Sequence, residues 1–275
     1  MRETTHLVHE YLRSSKRFPH IWCAGCGIGI FMHALIRVID REGYSKDDIV
    51  LISGIGCSGR LPVYVDFNTL HTTHGRALTF ATGIKLANPR LKVITVMGDG
   101  DAVAIGGNHF IHAARRNVEI ASFILNNNVY GMTGGQTSPT TPYGVKTTSS
   151  PYGNLEPDFD ICRLAEAAGA VLVARSTVYH TQLLERLISM ALKKKGFAML
   201  EVISQCTTYA GRFRQLKSPV EMMKWQKDNS ITAEKAKGMS DAELEDKIVI
   251  GVLVDRERPS YHEQYSRLLN KKNKV

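Results

Sequence analysis

Two segments, KVITVMGDGD (Lys92–Asp101) and VEIASFILNNN (Val118–Asn128), decide the fold between them. Each is a short apolar run, rich in β-branched residues and without polar alternation, as expected of strands buried on both faces. Between them, NHFIHAARRN (Asn108–Asn117) has the length and spacing of a helix. Strand, helix and strand in that order form a crossover between parallel neighbours. Asp99 and Asn127 stand 28 positions apart, one crossover, so their side chains should meet at neighbouring strand tips. Gly98 and Gly100 would let a bulky phosphate approach the backbone. A carboxylate, an amide oxygen and one carbonyl from the following loop suit a magnesium ion that keeps phosphate oxygens as its other ligands. The alternative is a pair of Asx turns that cap helices. The motif is not a phosphate loop of the G-K-[ST] kind. No G-x-G-x-x-G opens the helix, which counts against a dinucleotide fold.

Outward from this unit the rhythm repeats. Gly27–Gly43 carries Ile28, Phe31, Met32, Leu35, Ile36 and Ile39 at helical spacing, with Gly43 as a stop. A strand is expected over 48–53, a helix over 74–87, a helix over 160–168, a strand at AVLVAR, a helix over 180–194 and a strand over 197–204. A long polar loop, 126–158, interrupts the series. These elements predict an α/β fold with a doubly wound, mostly parallel sheet and a ligand beyond the strands' carboxyl ends. Residues 1–205 would form this domain. Residues 206–275, polar and charge-rich, read as a C-terminal arm over a partner.

The composition is that of an ordinary globular protein, 43% hydrophobic and 22% charged. No run of about 18 uncharged apolar residues predicts a membrane span. The start of the chain lacks the apolar core of a secretory signal, so a cytoplasmic location with reduced thiols is expected. Thirty-five Lys and Arg against 26 Asp and Glu leave a net charge of +9, which suits an acidic partner. The basic clusters are not interleaved with aromatics, so nucleic-acid binding is set aside.

The five cysteines pose a separate question. Cys23 and Cys26 form a C-x-x-C pair in a glycine-rich turn. Taken alone, it is compatible with a disulfide, a zinc clip, a redox dithiol or one edge of an iron–sulfur site. A four-cysteine zinc site usually has two such pairs, and this chain has one. A thioredoxin-type pair follows the first strand of its fold, whereas this one precedes any strand. Cys162, among apolar neighbours at helical spacing, reads as a buried core residue.

Five stretches carry a resemblance: FPHIWCAGCGIGI (18–30), GIGCSGR (54–60), LHTTHGRALTFATGIKLANPRLKVITVMGDGD (70–101), GGNHFIHAARRN (106–117) and NNNVYGMTGGQTSPTTPYG (126–144). Together they resemble the β subunit of the 2-oxoacid:ferredoxin oxidoreductases, with the nearest likeness to the 2-oxoglutarate type. The resemblance covers roughly residues 15–215. It implies a thiamine diphosphate-binding fold, magnesium and, as in simpler members, one 4Fe–4S cluster. Mapped onto this chain, Cys23, Cys26, Cys57 and Cys206 would hold the cluster. Asp99, Asn127 and the Val129 carbonyl would hold magnesium. Ile55, Gly56, Cys57, Ser58, His74, Gly100, Asp101, Gly131 and Met132 would line the cofactor, and His71 reads as structural. Arg60, three residues beyond Cys57, could pair with the second carboxylate of 2-oxoglutarate.

The resemblance further implies a partner α subunit that supplies the glutamate against the aminopyrimidine ring. Ferredoxin would accept electrons and coenzyme A the acyl group. A pyruvate-type or broad-range 2-oxoacid enzyme, and a non-catalytic iron–sulfur subunit, are the alternatives.

Overall fold

The structure is a computed structural model that describes residues 7–15, 19–213, 215–216, 218–244 and 246–272. Eight strands form its sheet: β1 (Ile49–Ser53), β2 (Asn68–His71), β3 (Lys92–Gly98), β4 (Ile120–Asn126), β5 (Leu172–Thr177), β6 (Phe197–Ile203), β7 (Ser230–Thr232) and β8 (Ile248–Asp255). The helices in chain order are α1 (Leu7–Glu10), α2 (Ile28–Arg41), α3 (Ala77–Ala87), α4 (Asp99–Val103), α5 (Gly107–Arg116), α6 (Ile161–Ala167), α7 (Thr181–Lys193), α8 (Ala210–Phe213), α9 (Pro219–Asp228), α10 (Ala233–Ala236), α11 (Asp241–Leu244) and α12 (Tyr261–Lys272).

The strand order is β2-β1-β3-β4-β6-β5-β8-β7. Every pairing is parallel except β5 with β8. The chain moves outward from β1 to β2, then returns to place β3 on the other side of β1. That reversal makes the β1/β3 boundary a switch point, where a crevice opens beyond the strand ends.

Period-two alternation divides the core. Leu51, Ile94, Val96, Phe123 and Leu200 face α2 and α7, whereas Ile52, Val93, Met97, Ile124 and Met199 face α3, α5 and α6. Phe31 of α2 lies 5.4 Å from Phe123 on the first side, and Phe110 of α5 lies 5.8 Å from Phe197 on the second. The expected stripe of α2 is buried along its length, and Gly43 ends the helix in a left-handed conformation at φ 70°.

The mostly parallel, doubly wound α/β sheet expected from the sequence is present. Three strands were not anticipated within it. β2 reads NTLH, a half-exposed edge strand with no apolar signal. The segment beyond Cys206, expected as an arm, instead adds β7 and β8 to the sheet edge, and the uninterrupted IVIGVLV of β8 was the signal for it. Among the described residues no helix is long and apolar enough to cross a membrane.

Candidate active site

The crevice at the β1/β3/β4 ends is a single cleft. The loop after β1 contributes Ile55, Gly56, Cys57 and Ser58, and His74 faces them from before α3. Gly98, Asp99, Gly100 and Asp101 enter from β3 and α4, and Asn127, Val129, Tyr130, Gly131, Met132 and Thr133 from the loop after β4. Every residue expected at the magnesium and at the cofactor therefore lines one space.

Asp99 is 3% exposed, and its Oδ2 accepts hydrogen bonds of 2.6 Å from both Ser138 Oγ and Thr140 Oγ1. Burial raises its pKa, while these hydroxyls and the N–H groups at the start of α4 oppose the rise. A bound cation would relieve the same penalty, so this donor set suits a divalent metal beside phosphate oxygens. Asn127 folds its Oδ1 onto the Val129 N–H at 3.3 Å, closing the turn that brings both residues to the cleft.

Asp101 has a different task. Its Oδ1 accepts from Ile55 N (3.2 Å) and Gly75 N (2.7 Å), and lies 2.5 Å from His74 Nδ1. One buried carboxylate thus ties the loop after β1 to the turn before α3. A Cβ on Gly54 would come within 1.9 Å of Asp101 Oδ2, so only glycine fits there.

A Cβ on Gly100 would come within 2.1 Å of the Tyr130 ring, so the glycine also makes room for this aromatic side chain in the cleft wall. Tyr130 stands edge-on to His74, with ring centroids 6.5 Å apart.

Arg60 places its Nη2 2.8 Å from His71 Nε2 at the β2 edge. Because arginine only donates, His71 Nε2 accepts, leaving Nδ1–H to donate to Ser53 Oγ at 2.9 Å. Arg60 thereby braces the Cys57 loop against the β2 edge.

The turn at Cys23–Cys26 packs beside the segment after β6. Gln205 Nε2 donates to the Gly25 carbonyl (2.8 Å), Thr207 Oγ1 to Ala24 O (3.1 Å) and Thr208 Oγ1 to Cys23 Sγ (3.1 Å). Trp22 Nε1 donates to the Cys57 carbonyl at 2.8 Å. A Cβ on Gly131 would lie 3.5 Å from Cys206 Sγ and 3.9 Å from Cys57 Sγ, so these sulfurs share a wall with the cleft. Burial pushes the Cys26 thiol up to about 12, with Cys57, Cys206 and Cys23 adding to the rise. Cys57 rises to about 11, again through burial and then through Cys206 and Cys23. Thiols raised in this way at Cys26 and Cys57 need a cationic centre to be held as thiolates.

Cys162 is elsewhere, buried on α6 as expected.

Comparison with known proteins agrees with this geometry. The fold and cleft define a thiamine-dependent class: residues 54–202 match the thiamine pyrophosphate enzyme, C-terminal TPP binding domain. More narrowly, the chain belongs to the β subunits of the 2-oxoacid:ferredoxin oxidoreductases. It is 50% identical over 266 residues to the 2-oxoglutarate synthase subunit KorB of Methanocaldococcus jannaschii, covering 97% of this chain and 98% of that one. It is 47% identical over 190 residues to the 2-oxoacid:ferredoxin oxidoreductase subunit beta of Saccharolobus solfataricus, covering 68% of this chain and 62% of that one. A solved 2-oxoglutarate:ferredoxin oxidoreductase from Magnetococcus marinus, with 2-oxoglutarate, coenzyme A and succinyl-CoA bound, superposes with a TM-score of 0.86 at 29% identity. That match covers 99% of this chain and 92% of the Magnetococcus chain.

Proposed function

We propose that this chain is the thiamine diphosphate-, magnesium- and 4Fe–4S-binding β subunit of a cytoplasmic 2-oxoglutarate:ferredoxin oxidoreductase. When bound, thiamine supplies the carbanion stabilisation for decarboxylating a 2-oxoacid, and the cluster supplies one-electron transfer. Asp99, Asn127 and the Val129 carbonyl would hold magnesium and, through it, the diphosphate. Ile55, Gly56, Ser58, His74, Gly100, Gly131 and Met132 would seat the cofactor, with Asp101 fixing Ile55 and His74 in place. Cys23, Cys26, Cys57 and Cys206 would hold the cluster.

The observation that carries the reading is the shared position of Cys57. It lines the cleft and also belongs to the sulfur quartet, so electrons leaving the cofactor would have a short path. A non-catalytic iron–sulfur subunit would have no use for the cleft beside it.

Exposed apolar side chains occur in the cleft lining (Ile55, Met132), just after α4 (Ile105) and on α3 and α5 (Phe80, Ile111). They suit a partner α subunit that completes the thiamine site with its glutamate. The net charge of +9 suits an acidic ferredoxin. Coenzyme A and 2-oxoglutarate are the ligands named for the Magnetococcus relative.

The test is anaerobic co-expression with the partner subunit. The complex should release thiamine on denaturation, carry about four irons per β chain and reduce ferredoxin with 2-oxoglutarate only when coenzyme A is present. A colourless complex with one zinc per chain, or one without thiamine, would refute the proposal. Faster turnover with pyruvate would move the assignment to the pyruvate or broad-range type.

A further inference from the structure

Behind the cleft lies a buried polar group that the proposed chemistry does not use. Glu201 of β6 is 2% exposed and sits opposite Arg175 of β5. Arg175 Nε donates to its Oε2 at 2.6 Å, and Arg175 Nη2 donates to Asp160 Oδ1 at 2.8 Å. The Cys162 thiol also points at Glu201 Oε2, 3.3 Å away. Asp160, Cys162 and Glu201 are close enough to hold a metal ion, but the guanidinium already bonds both carboxylates and repels a cation. Burying such an ion pair costs desolvation that replacement by apolar residues would avoid. Its other oxygen points to a use.

Glu201 Oε1 accepts from Asn126 Nδ2 at 2.8 Å. A carboxylate only accepts, so it dictates which way this amide faces. Asn126 Oδ1 is thereby turned toward the Asn128 N–H (2.9 Å) and Thr140 Oγ1 (3.0 Å). Asn128 is left-handed at φ 60°, a conformation that asparagine adopts more readily than other non-glycine residues and that the Asn126 bond to its N–H helps to hold. Thr140 Oγ1 also lies 2.6 Å from Asp99 Oδ2, so its single hydroxyl hydrogen is shared between this oxygen and Asn126 Oδ1, the shorter contact being to Asp99. One path therefore runs from Arg175 through Glu201, Asn126 and Thr140 to Asp99, and branches into the turn that carries Asn127 and Val129.

We infer that Glu201, ion-paired to Arg175, is a positioning residue for the magnesium–diphosphate loop: by orienting Asn126 it sets Asp99 and the Asn127–Val129 turn. This rests on the proposed role of Asp99, Asn127 and Val129. Without the carboxylate the Asn126 amide is free to flip and to present its N–H groups to the Asn128 N–H, opening the turn.

The test measures the free Mg2+ concentration that half-saturates thiamine diphosphate retention by the assembled complex, for wild type, E201A, E201Q, N126A, E201A/N126A, C162A and D99N. Loss of a partner behind a metal ligand weakens metal affinity by about 10- to 100-fold. E201A and N126A should each raise half-saturation by that factor, and the double variant should be no worse than N126A. E201Q, which keeps the shape and one acceptor, should shift it several-fold and serves alone if E201A does not assemble. C162A alters the same packed pocket without touching Asn126 and should leave half-saturation unchanged. An unshifted E201Q or E201A, additive single effects, or an equal shift in C162A would overturn the inference. A wild-type Mg2+ dependence in D99N would instead overturn the metal assignment on which it rests.

Discussion

Gly54→Ala is the most exacting substitution for the cleft. The position is buried and its backbone is not left-handed, so alanine meets no conformational obstacle. The obstacle is space: the new Cβ would lie 1.9 Å from Asp101 Oδ2 and 2.4 Å from Oδ1. Both are about 1 Å or more short of an ordinary contact. The carboxylate has to move, and its Oδ1 bonds to Ile55 N, Gly75 N and His74 stretch together. Hydrogen bonds to a charged acceptor contribute about 1.5–3 kcal/mol each, so losing one or two costs about 3 kcal/mol. For a domain of this size that lowers Tm by about 6–12 °C. Because Ile55 and His74 line the cleft, thiamine diphosphate affinity should fall by about 100-fold, equivalent to about 2.7 kcal/mol. Differential scanning fluorimetry and equilibrium dialysis of the complex measure the two effects. Adding D101A should relieve the clash without restoring affinity, so the two substitutions will be non-additive in Tm. A Gly54→Ala complex with wild-type Tm and cofactor affinity would refute the claim that Asp101 anchors this loop.

Other expectations concern the sulfur quartet. Cys57→Ser or Cys206→Ser should lose most of the visible iron–sulfur absorbance, while Cys162→Ser keeps it; spectra of anaerobic preparations decide, and bleaching by all three equally would contradict the ligand set. Thr208→Val removes the hydroxyl donor to Cys23 Sγ. The potential should fall by about 20–65 mV, from 0.5–1.5 kcal/mol for one hydrogen bond at 59 mV per tenfold for one electron. Electron paramagnetic resonance titration reads that shift. The Cys26 thiol, raised by burial from 9.0 to about 12, stabilises the cluster-free chain below its unfolded value. That stability should drain away as pH rises from about 9 toward about 12, and Cys26→Ser should reduce the pH dependence of urea midpoints across this window.

The fold was legible where burial leaves a continuous apolar run. β1, β3, β4 and β6 are each covered on both faces, so their sequences need no alternation and their periodicity is plain. β2 escaped because an edge strand is selected by its neighbour's open N–H and C=O groups rather than by hydrophobicity. β8 carried its signal in plain view, within a tail whose surrounding charges suggested an arm. In the cleft, Asp99 and Asn127 were readable because one crossover joins their strands. Ser138 and Thr140, which hold Asp99, lie 39 and 41 residues away on a loop without periodicity.

The amino-acid order alone determined the alternation of strand and helix, the glycine–aspartate strand ends and the Cys23–Cys26 pair, because each depends on spacing within about one crossover. Tertiary closure decided the rest. It turned Arg60 toward His71, filled the space over Gly100 with Tyr130 and set Glu201 behind Asn126. Side chains far apart in the chain acquire partners only when sheet order brings their backbones together, and local propensity carries no information about that order.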